Sequence, residues 1–200
     1  EVMSLLDGIA STIWLPAGAR PWAMWDGTVL AQRENRIELY AFDGTAPVPV
    51  VAGTILAASG GALYQQRCEP GAPCHDVVVF AAPRGAEVEV DPSVRPDRAR
   101  VVSLGPLGRS AVFEVRGADA AGTVTRVVEL GSGEVVGETA TPAGARPPSW
   151  SPDGSAVLID GAEGLVLVDL WFERSGLLSA LMGDVPGRPL GFVTTRVLAP

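Results

Sequence analysis

Cys68 and Cys74 are the two cysteines of the chain, and they enclose Glu-Pro-Gly-Ala-Pro between two strand-like runs. So short a Pro/Gly-rich loop is readily closed, and the paired count points to a disulfide formed in an oxidising compartment. The spacing differs from the CxxC of a redox motif or a zinc ribbon, so no metal role is expected. His75 follows the loop and is the single histidine. A general base also needs a nucleophile and an orienting acid nearby. The nearest approach to a nucleophile elbow, Gly108-Arg109-Ser110-Ala111-Val112, lacks the closing glycine of GxSxG. His75 therefore reads as a loop histidine, and no catalytic residue is assigned.

Carboxylates are plentiful at turn positions: Asp26, Asp43, Asp91, Asp119, Asp153, Asp160 and Asp184. Paired acids could hydrolyse a glycosidic bond, but aspartates at turns usually accept bonds from backbone N–H groups. No run has the DxDxDG form of a calcium loop. Trp14, Trp22, Trp25, Trp150 and Trp171 sit at or near strand ends. Trp22 and Trp25 are expected to be partly exposed, as an aromatic rim for a protein, peptide or glycan. Met24 and Trp150, in equivalent positions of a repeat described below, are expected to pack in the core.

Composition excludes several chemistries. All 15 basic residues are arginine, against 23 acidic residues and a net charge of −8. Without lysine there is no phosphate-loop lysine, Schiff base or kinase-type ATP lysine, and one histidine cannot build a multi-imidazole site. With no basic stripe, nucleic acid and anionic membrane are poor partners. No cofactor is implied. The apolar residues make up 47% of the chain, in short bursts that never approach the roughly 18 residues of a membrane span. No signal peptide is evident, and the chain begins at Glu1, so a processed form or a piece of a longer protein is expected, with any anchor outside it.

What would position these residues is a set of short strands, punctuated by 24 Gly and 17 Pro. The string Pro-Ala-Gly-Ala-Arg-Pro occurs at 16–21 and at 142–147, 126 residues apart, which is three times 42. A shortened copy, Gly187-Arg188-Pro189, lies 42 residues further on. This is the spacing of four-stranded propeller blades. Trp22 to Gly44 and Pro148 to Leu170 both read as strand, Asp-Gly turn, strand, short turn, strand. Weaker copies run from Thr54 to Cys68, continuing at Asp76 to Ala81, and from Arg100 to Gly117, continuing at Val124 to Leu130 and Glu134 to Val136. Val29, Ala62, Val112, Val157 and Val197 mark the second strand of each unit. Arg174 to Met182 could be a short helix or an outer strand.

Trp150-Ser-Pro-Asp-Gly154 resembles the WSPDG signature of TolB-like and WD-repeat-like bacterial propellers, where it joins the innermost strand of a blade to the second. The resemblance covers about four-fifths of the chain and carries no catalytic residues with it. It implies an all-β propeller occupying residues 1–200 as one domain. Five four-stranded blades are expected. The last would be closed by strands from both termini, Gly191 to Leu198 at one end and Val2 to Leu6 with Thr12 to Leu15 at the other. Similar propellers form extracytoplasmic parts of envelope lipoproteins or membrane-tethered regulators, so a non-catalytic extracytoplasmic binding module is the expected function. The alternatives are a glycan-active enzyme using channel carboxylates and an accessory propeller of a larger enzyme.

Overall fold

The computed structural model describes residues 2–6, 9–25, 27–81, 86–90, 95, 99–116 and 122–177. The chain divides into two compact units, Glu1–Val90 and Asp91–Pro200. Among the described residues every regular element is a strand.

The first unit begins with a hairpin of β1 (Val2–Leu6) and β2 (Ile9–Ile13), paired Val2 to Ile13. Two antiparallel sheets follow, each a meander in chain order: β3 (Arg20–Trp25), β4 (Thr28–Arg33), β5 (Arg36–Tyr40) and β6 (Val48–Ala52), then β7 (Thr54–Ala58), β8 (Ala62–Arg67), β9 (His75–Phe80) and β10 (Glu87–Val90). The second unit repeats the plan twice. Its first sheet is β11 (Ala99–Leu104), β12 (Ser110–Arg116), β13 (Thr123–Glu129) and β14 (Val135–Ala140). Its second is β15 (Ser149–Trp150), β16 (Ala156–Gly161), β17 (Gly164–Asp169) and β18 (Arg174–Leu177).

The middle strands carry unbroken apolar runs, and each run is buried on both faces: Val29-Leu30-Ala31, Val77-Val78-Val79, Ala111-Val112-Phe113 and Val157-Leu158-Ile159. Such runs need cover, and within each unit the two four-stranded sheets cover one another. In the first unit Trp25, Leu30, Ile37, Leu39, Ile55, Leu63, Val77 and Val79 form one cluster between the two sheets. In the second, Val112, Val127, Val157, Ile159, Val166 and Val168 do the same. The first and fourth strands are the edges of each sheet, and ion pairs such as Arg67–Glu87 and Arg126–Glu138 tie fourth-strand carboxylates to inner strands. Charges on an edge discourage pairing with a foreign strand.

Three first strands share a defect at one register position. The extra residue is Trp22 on β3, Leu56 on β7 and Val102 on β11, each just before the pairings Ala23–Leu30, Ala57–Tyr64 and Ser103–Val112. One residue inserted without a partner bends a strand and increases its twist. The repeat is thus written in backbone geometry where sequence identity has faded.

The second-strand markers Val29, Ala62, Val112 and Val157 lie on β4, β8, β12 and β16. Arg174 opens an outer strand, β18, and the remainder of that segment lies outside the described residues. So do Val197 and Gly191 to Leu198, on which closure by both termini depends. At the other end β2 starts at Ile9 rather than Thr12 and pairs with β1. Trp25 departs from expectation. It ends β3 opposite Thr28 with its ring in the core cluster, 3% exposed, because the bulge at Trp22 sets the face on which it falls. Met24, on the other face, is the exposed one.

Candidate functional site

The second unit gathers four turns at one edge of its two sheets. Ser151-Pro-Asp-Gly-Ser155 joins β15 to β16. The Gly154 N–H is donated to Ser151 O at 2.9 Å, and Gly154 has φ of 71°, a left-handed conformation that costs glycine little. Ser151 Oγ accepts from the Ala156 N–H at 2.9 Å, and Asp153 Oδ1 accepts from the Ser155 N–H and hydroxyl. Hydrogen bonds from Ser151 and then Ser155 hold the Asp153 carboxyl below the usual range.

Gly105-Pro-Leu-Gly-Arg109 between β11 and β12 is the same turn. The Gly108 N–H is donated to Gly105 O at 2.9 Å and Gly108 has φ of 69°. Leu107 stands where the other turn has Asp153.

The turns between third and fourth strands are tied to these by matching bonds. Leu130 N–H reaches Arg109 O at 2.8 Å, and Leu170 N–H reaches Ser155 O at 2.9 Å. The first of these turns, Glu129 to Glu134, is held by Ser132, whose hydroxyl is donated to the Glu129 carboxylate. In the second, Asp169 Oδ1 accepts from the N–H groups of Trp171 (3.1 Å) and Phe172 (3.3 Å). That cap holds the backbone in a turn with both aromatic side chains outward, 78% and 70% exposed.

Between the turns lies a cleft of roughly 370 Å³. Leu107, Leu170 and Trp171 give it an apolar wall. Glu129, Glu134, Asp153 and Glu173 line it with carboxylates, and Arg109 is the one lining cation among the described residues. Among the described residues no group of three His, Cys, Asp or Glu is placed to hold a metal ion. The arrangement offers a flat aromatic surface and a negative field, which suit recognition.

The other residues singled out from sequence lie elsewhere. Cys68 and Cys74 form a disulfide that closes the exposed loop between β8 and β9. His75 opens β9 opposite Arg67. Trp22 is half-buried, with the Arg20 guanidinium 4.7 Å from its ring centre and a buried Nε1 that has no partner among the described residues. Trp25 is in the core, so the two do not form an exposed rim. Two other residues make the exposed wall, Trp171 and Leu107. Trp171-Phe172 is an aromatic pair directly behind a strand and flanked by charges, which was readable as a turn display. Leu107 was readable by aligning Gly105-Pro-Leu-Gly108 with Ser151-Pro-Asp-Gly154.

Trp150 joins the two sheets of this unit. Its Nε1 proton is donated to Ser103 Oγ at 2.9 Å, and its ring packs on Gly105. The segment 150–154 therefore links the first strand of its sheet to the second and packs on the neighbouring sheet of the same unit. The fold is that of an all-β propeller built from four-stranded antiparallel sheets.

No family model matches the propeller sequence, and no curated protein matches it. Among solved structures it is similar to the tricorn protease, with a TM-score of 0.50 and 9% identity over 78% of this chain and 16% of that one. It is also similar to TolB from Acinetobacter baumannii, with a TM-score of 0.47 and 11% identity over 80% of this chain and 43% of that one. For a putative TolB from Agrobacterium tumefaciens the TM-score is 0.48, with 15% identity over 80% of this chain and 60% of that one. At such identities the likeness is one of fold, and the chain spans less than two thirds of each of these proteins.

Proposed function

We propose that this chain is a non-catalytic binding propeller that works outside the cytoplasm and engages a protein or peptide partner at the turn edge of its second unit. The observation that carries the reading is the exposed wall of Trp171 and Leu107 on a shaped cleft, with exposed Phe172 beside it in sequence. Solvent-exposed indoles set in a concave surface are the usual anchors of recognition sites, since a partner gains much apolar burial from one rigid side chain. Trp22, half exposed beneath Arg20, serves as a secondary contact on the first unit.

The Cys68–Cys74 disulfide supports an extracytoplasmic location, because cytosolic thiols are kept reduced. A glycan-cleaving reading calls for a carboxyl held protonated near neutral pH. Among the described residues, Asp43, Glu87 and Asp153 are displaced downward, toward the ionised form, by hydrogen bonds they accept.

Selection of a random displayed-peptide library on the intact protein tests the reading. Peptides retained by the native protein should be released by Trp171→Ser. Peptides that bind both proteins equally well would place recognition away from this cleft.

A further inference from the structure

We propose that the cleft beside Trp171 receives an arginine- or lysine-bearing extended segment of the partner, with the cation over the indole and the rim carboxylates as its counter-charges. This rests on the binding reading above and adds the chemistry of the ligand.

The first argument is how the chain distributes its own cations. Arg67, Arg100, Arg126, Arg146 and Arg174 are each paired with a carboxylate, namely Glu87, Glu114, Glu138, Asp160 and Asp169. These pairs lie along strands or brace loops. None of them reaches Glu129, Glu134, Asp153 or Glu173 among the described residues. Among the described residues the four rim carboxylates thus face one lining cation, Arg109. The surface has kept a local excess of negative charge where its most exposed tryptophan stands.

The second argument is the aromatic wall. A guanidinium or ammonium over the face of an indole is attracted by the ring's quadrupole, and nearby carboxylates add their own charge attraction and hydrogen bonds. The chain already makes two such contacts internally. Arg20 sits 4.7 Å from the Trp22 ring centre and Arg174 sits 4.8 Å from that of Phe172. Trp171 has no such internal cation among the described residues and is 78% exposed.

The third is size. A cleft of roughly 370 Å³ is at the small end of ligand-sized pockets and accepts one or two side chains, not a folded surface. The partner's contribution is therefore an extended segment.

The test is calorimetric titration of the intact protein with the peptide Ac-Arg-Gly-Arg-Gly-Arg-amide at low ionic strength. Peptides with Glu or Ser in place of Arg serve as comparisons. The arginine peptide should bind, and Trp171→Ala and the double variant Glu134→Gln/Glu173→Gln should each weaken it by about tenfold. The double variant Glu89→Gln/Glu163→Gln removes the same charge at exposed positions outside the cleft and should leave binding unchanged. Equal loss in both double variants would show diffuse attraction to an acidic protein and overturn the proposal, as would failure of the arginine peptide to bind. Tight binding of the serine peptide that depends on Trp171 would overturn the charge assignment while leaving the binding reading intact.

Discussion

The indole of Trp150 donates its Nε1 proton to Ser103 Oγ at 2.9 Å, linking the first strands of the two sheets of the second unit. The same ring lies against Gly105, where an added methyl would come within 3.2 Å of the ring and 3.1 Å of the Ser110 carbonyl oxygen. Trp150→Phe keeps much of the packing and loses the hydrogen bond, so a loss of about 1 kcal/mol is expected. Trp150→Ala also opens a space between sheets and should cost about 2–4 kcal/mol. Urea unfolding of the two variants against the native protein gives both values, and an unchanged midpoint for Trp150→Phe would deny the bond its role.

Gly137 on β14 makes a second close approach. A Cβ there would meet Val168 Cγ2 at 2.7 Å, on the third strand of the adjacent sheet. Gly137→Ala should destabilise by about 1–3 kcal/mol through overpacking. The double variant Gly137→Ala/Val168→Ala should recover part of that loss, and thermal unfolding of the pair measures the coupling.

The Cys68–Cys74 bridge closes a loop with a sequence separation of 6. Loop-closure entropy for so short a ring gives about 2 kcal/mol, the expected cost of replacing both cysteines by serine. Intact mass before and after reduction should differ by two hydrogens. Two thiols open to alkylation in the oxidised native protein would contradict the bridge.

Tyr40 is pushed up to about 12 by burial and by the Glu38 carboxylate, whose Oε2 accepts its hydroxyl proton at 2.6 Å. The unfolded chain releases this proton near the ordinary value of 10.0, before the folded chain does. The contribution is therefore present below that pH and lost as pH rises toward the folded value. Stability measured at about pH 9 and about pH 11.5 should fall more steeply in the native protein than in Tyr40→Phe.

Much of this architecture was legible because turn chemistry recurs. Asp-Gly, Pro-x-Gly and Gly-rich turns precede β4, β8, β12 and β16, so Val29, Ala62, Val112 and Val157 could be placed on second strands without coordinates. The fourth strands were harder to read. β6 contains Pro49 and β10 is a four-residue edge strand with three exposed residues, so neither carries a periodic apolar signal. The site was least legible, for a register reason. Trp25 and Trp171 both lie beside turns, but the bulge at Trp22 sends one inward, while the Asp169 cap presents the other to solvent. Neither effect is written in the identity of the tryptophan itself.

The central claim, recognition at the turn edge of the second unit, is tested most directly by amide hydrogen exchange. The intact protein would be compared alone and with a peptide selected on it. The account predicts slowed exchange in the turns 129–134 and 170–174 and in the Pro-x-Gly turns beside them, with the Cys68–Cys74 loop unchanged. Protection confined to that loop, or to the strands that carry Trp22, would contradict it.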